Sequence, residues 1–151
     1  AEGRRFIISG TQTGHIERTG PGHWSTVTEY DIDANRVLCE GPVQASSEAL
    51  THAAIYELDP AIGAIAHVHS AELWTRLLNR LPTTAPDVPY GTPDMAREFG
   101  RLYRETDFAE SGVAVMAGHE EGIVAFGPDI THATKRVLAL QNSTARIDLE
   151  S

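Results

Sequence analysis

The sequence predicts an α/β fold built on a mixed, largely antiparallel sheet. Three observations lead there. Short apolar runs bounded by Gly, Pro, Asn and Asp alternate with segments of helical period, the mark of mixed helix and strand layers. Two pairs of strand-like runs lie too close in sequence to pair except as antiparallel neighbours, because a parallel pair needs a crossover of a dozen or more residues. The 151 residues, 41% of them hydrophobic, suit one core and one domain over 1–151.

The elements follow in order. Arg5-Phe6-Ile7-Ile8-Ser9 reads as a strand entering the Gly/Thr-rich loop Gly10-Thr11-Gln12-Thr13-Gly14. Thr26 to Asp31 alternates, turns at Asp33-Ala34-Asn35 and returns through Arg36-Val37-Leu38-Cys39, a hairpin. Ser46-Ser47-Glu48 opens a helix to about Leu58, with serine as N-cap, an acid in the first turn and Asp59-Pro60 as the stop. Gly63 to His69 is a strand by composition, and Ala71 to Asn79 is helical. Leu81 to Pro93 holds four of the eight prolines and reads as an irregular crossing loop. A helix follows from Pro93 to near Thr106, then an acidic loop, Asp107-Phe108-Ala109-Glu110. Val113 to Ala117 and Gly122 to Phe126 are strands around Gly118-His119-Glu120-Glu121, and a last helix runs from near Asp129 to about Ser143.

Bulk properties exclude some functions. The net charge of −9 argues against nucleic-acid partners, which need clustered Lys and Arg against phosphates. No apolar run approaches the roughly 20 residues that span a bilayer, and the N-terminal residues are no signal peptide, so no membrane partner is expected. The lone Cys39 excludes an intrachain disulfide and fits a reducing, cytoplasmic setting. The sequon Asn142-Ser143-Thr144 is read as chance.

The chemistry concentrates on a few residues. His67 and His69 are two apart on a strand, so their imidazoles leave the same face, a natural pair of metal ligands. Zinc takes about four positions and catalytic sites keep one open, so a third protein ligand is needed. His119, in a tight inter-strand turn, is the candidate. Glu48, at a helix start, is the carboxylate neighbour and the candidate acid or base.

The order of motifs then resembles the class II aldolase/adducin family. It runs Ser46-Ser47-Glu48-x-x-x-His52, Asp59-Pro60, Ala66-His67-Val68-His69-Ser70, Val88-Pro89-Tyr90-Gly91-Thr92 and Met116-Ala117-Gly118-His119, across about Phe6 to Leu140. The resemblance implies a three-layer αβα sandwich and a metal-dependent carbon–carbon lyase of carbohydrate metabolism, like the fuculose-phosphate and rhamnulose-phosphate aldolases. Sugar-phosphate 4-epimerases and decarboxylases run on related logic. It implies that His67, His69 and His119 hold zinc, or another divalent metal such as manganese or iron, and that Glu48 moves the proton. Ser46 and Ser47 would hold a substrate phosphate, and Thr13 and Gly14 resemble the family's Thr-Gly phosphate turn. The substrate would be a small hydroxy-carbonyl compound, with or without phosphate, and the assembly a homotetramer.

Physics accords with that transfer. Breaking a bond beside a ketone leaves an enediolate, whose charge a metal spreads as a Lewis acid. A carboxylate with its pKa lifted toward neutrality by apolar surroundings then moves the proton. Two rival classes remain: a non-catalytic adducin-like interaction domain and a mononuclear iron oxygenase.

The family's N-terminal helix and Gly-Asn-x-Ser loop, and the region of the aldolases' tyrosine general acid, have no counterpart in residues 1–151. Tyr90 is read mainly as structural. His52 shares a helix face with Glu48 and is read as a buried, hydrogen-bonded residue. His15, His23 and His132 are read as surface residues, and Glu120 and Glu121 as solvated turn carboxylates. Trp24 and Trp74 are read as core or interface anchors.

Overall fold

The computed structural model describes residues 3–150, with side chains through residue 143. The first three strands, β1 (Phe6–Ser9), β2 (Trp24–Asp31) and β3 (Arg36–Glu40), form one antiparallel sheet in that order. The predicted hairpin is β2–β3. Its turn is closed by the Ala34 N–H donating to the Asp31 carboxylate at 2.9 Å and by Asn35 in the left-handed region at φ 52°. Asparagine tolerates that region because its short polar side chain bonds locally.

A second antiparallel sheet has the order β4 (Ala64–His69), β6 (Gly122–Gly127), β5 (Val113–Val115). The helices are α1 (Ala49–Leu58), α2 (Ala71–Leu77), α3 (Pro93–Glu105), α4 (Phe108–Ser111) and α5 (Ile130–Glu150). On one face of the second sheet, Ile65, Val124 and Phe126 pack with Ile55 of α1 and Met95, Phe99 and Leu102 of α3. On its other face, Val113, Ile123 and Ala125 pack with Leu73 of α2 and Val137 of α5. The layering is therefore helix, sheet, helix, and β6 is buried along its whole length, as a strand covered on both faces must be. The first sheet is covered on one face, where Phe6, Ile8 and Val27 meet Ala49 and Ala53 of α1.

The pairing differs from a single sheet. Among the described residues, six strands divide into two groups of three, all ladders are antiparallel, and the parallel contact is one isolated bridge, Thr83 to Val115. The edges β1 and β4 have no described strand between them.

Three element boundaries also move. The acidic stretch at 107–110 is not a plain loop: Phe108 is fully buried in the main core, and docking it folds a helical turn that ends at Gly112 with φ 64°. Helix α1 begins at Ala49, not Ser46, because the Ser46 hydroxyl accepts the Glu48 N–H (3.2 Å) and its carbonyl accepts the Ala49 N–H (3.0 Å) ahead of the first turn. The last helix continues to Glu150. No described helix is long and apolar enough to cross a membrane.

Candidate metal centre

The site is assembled from three elements. Strand β4 supplies His67 and His69, whose Nε2 atoms lie 3.0 Å apart. The turn between β5 and β6 supplies His119. That turn is fixed by the His119 N–H donating to the Met116 carbonyl (3.2 Å) and the Gly122 N–H to the His119 carbonyl (2.9 Å). The Ser70 N–H, donating to the Glu121 carbonyl (3.0 Å), ties it to the end of β4. A Cβ at Gly118 would overlap the Val88 carbonyl oxygen, so only glycine lets the crossing loop pass here. The result brings the His119 ring centroid to 5.0 Å from that of His67 and 4.7 Å from that of His69.

One ligand atom from each of the three imidazoles falls within 4.8 Å of the others, so the group could hold a metal ion. Metal–nitrogen bonds of about 2.0–2.1 Å in a tetrahedral site put ligand nitrogens about 3.3 Å apart, close to the His67–His69 spacing. Two rings can settle such a contact with a hydrogen bond between them, but three converging rings leave one without.

Glu48 joins them from the N-cap of α1, 2% exposed. Its Oε1 is 3.3 Å from His119 Nδ1, near enough for an ionic contact but not aligned as a hydrogen bond. Both Glu48 oxygens, His67 Nδ1, His119 Nδ1 and Thr51 Oγ1 are buried without a hydrogen-bond partner, and no other described side chain has such an atom. Buried polar atoms are nearly always paired, so a carboxylate with both oxygens orphaned beside three convergent imidazoles fits a cation held among them.

Protonation agrees. Burial, opposed by Glu48 and reinforced by the neighbouring imidazoles, pulls the His67 pKa down to about 3, leaving a neutral ring with a free lone pair. Glu48 does not show the lift expected of an apolar pocket. Burial raises its pKa, but the neighbouring His119, His67 and Thr51 side chains together hold it below the ordinary carboxylate value. The group is a carboxylate because imidazoles, rather than aliphatic side chains, surround it.

These residues line one cavity of about 710 Å³, together with Ser46, Ser47 and the loop Ser9–Gly14, which contains Thr13 and Gly14. The predicted anion-binding groups and the histidine cluster are thus brought together. The Thr13 hydroxyl donates to the Gly10 carbonyl (2.8 Å) and folds the loop over the cavity.

The sequence reading missed Tyr90. It is 50% exposed, lines the same cavity and stacks on His119 with ring centroids 4.2 Å apart and an interplanar angle of 23°. An aromatic between Pro89 and Gly91 has no helix or strand to bury it, which was the available signal. His52 is buried as read, but its ring nitrogens make no hydrogen bond to the described residues and keep some access to solvent. His23 is structural: its Nδ1 accepts the Gly20 N–H (2.9 Å). His132 is exposed and bonds Asp129 (2.8 Å). The Trp74 indole N–H donates to the Met116 carbonyl (2.9 Å) and braces the His119 turn.

Comparison with known proteins gives a consistent picture. The family model of the class II aldolase and adducin N-terminal domain matches residues 4–147. Among solved structures, L-fuculose 1-phosphate aldolase is similar with a TM-score of 0.68 at 19% identity, covering 97% of this chain and 72% of that one. The sugar-phosphate aldolase from Thermotoga maritima gives 0.65 at 20%, covering 99% and 73%. YgbL from Escherichia coli, named as a candidate aldolase/epimerase/decarboxylase, gives 0.66 at 18%, covering 99% and 79%. At these identities the structural likeness is one of fold.

Proposed function

The chain belongs to the class II aldolase and adducin family, and on that premise we propose that it is a metal-dependent carbon–carbon lyase acting on a small hydroxy-carbonyl compound. The observation that carries this reading is the convergence of three imidazoles and a buried, unpartnered carboxylate on one open cavity. A non-catalytic interaction domain would have no need of such a convergence.

His67, His69 and His119 would hold the metal, zinc in the first instance, with manganese or iron as the alternatives. A divalent ion there supplies a Lewis acid that spreads the charge left on substrate oxygens when the carbon–carbon bond breaks. Glu48 carries the proton to or from the carbon beside the carbonyl. As a carboxylate at rest it accepts that proton in the bond-forming direction and returns it in cleavage. Tyr90 covers one side of His119 and walls the cavity.

Ser46, Ser47, Thr13 and Gly14 form the far wall and would take an anionic group such as a phosphate. Contacts there come from hydroxyls and the 10–14 loop more than from the start of α1, since Ser46 already occupies the N–H groups of Glu48 and Ala49. The reading includes a homotetramer, open to sedimentation analysis.

The test is a screen of ketose phosphates and unphosphorylated hydroxy-keto acids against the zinc-, manganese- and iron-loaded protein, following aldehyde release. Glu48→Gln should bind metal as the wild type does and lose turnover by about 10²–10⁴-fold, the usual contribution of a positioned acid or base. Full activity in that variant removes Glu48 from the chemistry. Epimerised product or released carbon dioxide in place of aldehyde reassigns the reaction within the family.

A further inference from the structure

Strand β3 closes one end of the first sheet, and no described strand lies beyond it. The ladders show which of its backbone groups are spare. The Gly10 N–H donates to the His23 carbonyl (2.8 Å), so Gly10, and by alternation Ile8 and Phe6, turn their backbone groups toward β2. Their partners Ser25 and Val27 therefore turn toward β1, and Thr26 turns toward β3, opposite Glu40. Alternation along β3 then aims Arg36, Leu38 and Glu40 at β2, and the Leu38 carbonyl accepts the Thr28 hydroxyl there (3.3 Å). Val37 and Cys39 are left with their N–H and C=O groups on the open edge.

Side chains alternate as well. Val37 packs on the core side with Phe6 and Val27, so Arg36, Leu38 and Glu40 share the opposite face. All three are exposed, Leu38 by 46%. Neither Arg36 nor Glu40 forms an ion pair among the described residues. Charges on an edge strand ordinarily keep other strands away. Their spacing here makes an exception for one partner. When β3 lies antiparallel against a copy of itself, with a two-fold axis at Leu38, each Arg36 stands opposite the other copy's Glu40. Each Val37 stands opposite the other copy's Cys39, and their spare backbone groups exchange hydrogen bonds. Leu38 meets Leu38 at the axis. With the axis at Val37 or at Cys39 instead, both charges lose their counterparts.

We propose that β3 is the contact strand of a two-fold dimer, in which two copies of this chain join their first sheets into one sheet of six strands. The choice of a second copy rests on this charge complementarity. An unrelated strand would need an acid and a base at matching positions, whereas a copy of β3 carries them in the right order. An overlap of five residues buries less than the roughly 1,200 Å² of a standard interface, so the pair forms at high concentration and separates on dilution. A two-fold contact closes on itself and makes pairs; a larger assembly needs a further surface. The metal centre takes no part, so this inference and the proposed chemistry stand or fall separately.

Sedimentation equilibrium on the whole chain, from about 10 µM to about 1 mM, should show the mean mass doubling with concentration. Arg36→Glu sets glutamates opposite each other at both ends of the overlap and should weaken pairing by about tenfold or more, as should Glu40→Arg with arginines. Mixed one to one, the two variants match charge to charge again and should pair as the wild type does, a rescue that misfolded variants could not give. Leu38→Cys in a Cys39→Ser background should form a disulfide between copies on mild oxidation, because directly opposed residues of a non-hydrogen-bonded pair come within disulfide reach. Leu138→Cys in the same background should not. A wild type that stays monomeric throughout, or association that both charge reversals leave intact, overturns the proposal. Pairing that the reversals abolish and the mixture does not restore overturns it too, since residues 36 and 40 would then face other groups.

Discussion

The two sheets have equal strand numbers and opposite surroundings. The second is covered on both faces, and all six residues of its central strand are buried. The first is covered on one face, and its β3 strand is exposed at four of five positions. The three imidazoles of the candidate metal centre hang on the second sheet and on the turn that closes it. The loop that would meet the substrate's anionic end hangs on the first. Close-packed layers hold an imidazole where a bond of fixed length needs it, whereas a half-clothed sheet leaves its loops adaptable.

Removing a ligand from the rigid half is the largest perturbation available. His67→Ala or His119→Ala should weaken metal binding by more than about 100-fold, since loss of a mere supporting contact costs about 10–100-fold. Chelator competition measures this, with exposed His132→Ala as the unaffected control. Unchanged affinity in His119→Ala would detach the β5–β6 turn from the metal centre.

The same contrast should appear in stability. Ile123 is fully buried in β6 and Leu38 is 46% exposed in β3. Ile123→Ala should cost about 2–5 kcal/mol, and Leu38→Ala no more than about 0.5 kcal/mol, both read from urea unfolding. Comparable costs would mean that the first sheet is covered in solution.

This division also explains what could be read in advance. The strand carrying His67-Val68-His69 and the β2–β3 hairpin were legible because period-two spacing and short turns are local rules, whereas the grouping of His119 and Glu48 with that strand leaned on the family resemblance. The turn at Phe108 was not legible, because its helix exists only where Phe108 can dock against Phe99 and Phe126, 5.7 and 5.1 Å away between ring centroids. Nor was the break between the sheets, which depends on which edges meet. The resting charge of Glu48 was misjudged for a similar reason: the neighbours that set it arrive from β4 and the β5–β6 turn, not from its own helix.

His52 sharpens the comparison at the seam between the halves. Burial, partly offset by Glu48, lowers its pKa from 6.5 to about 4. The folded state therefore binds a proton less readily than the unfolded one. Stability attributable to this residue is complete above pH 6.5 and is lost as pH falls toward 4, by about 3 kcal/mol. Unfolding free energies of wild type and His52→Leu should diverge across that window, with the wild type falling more steeply. Parallel curves would show that His52 gains a proton without cost, as a water-filled gap would allow.

The smallest effect belongs to Tyr90, which belongs to neither sheet yet stacks on His119 of the candidate metal centre. A stacked aromatic pair is worth about 0.5–1.5 kcal/mol beyond its buried area, and half of Tyr90 faces solvent, so the low end applies. If the stack steadies the His119 ring, Tyr90→Leu should weaken metal binding by about two- to fivefold and Tyr90→Phe should not, because phenylalanine keeps the ring and loses only the hydroxyl. The converse pattern, with metal affinity unchanged in both and turnover lost in Tyr90→Phe, would move Tyr90 from steadying a ligand to handling substrate. The adaptable half of the cavity would then begin at residue 90 rather than at the 10–14 loop.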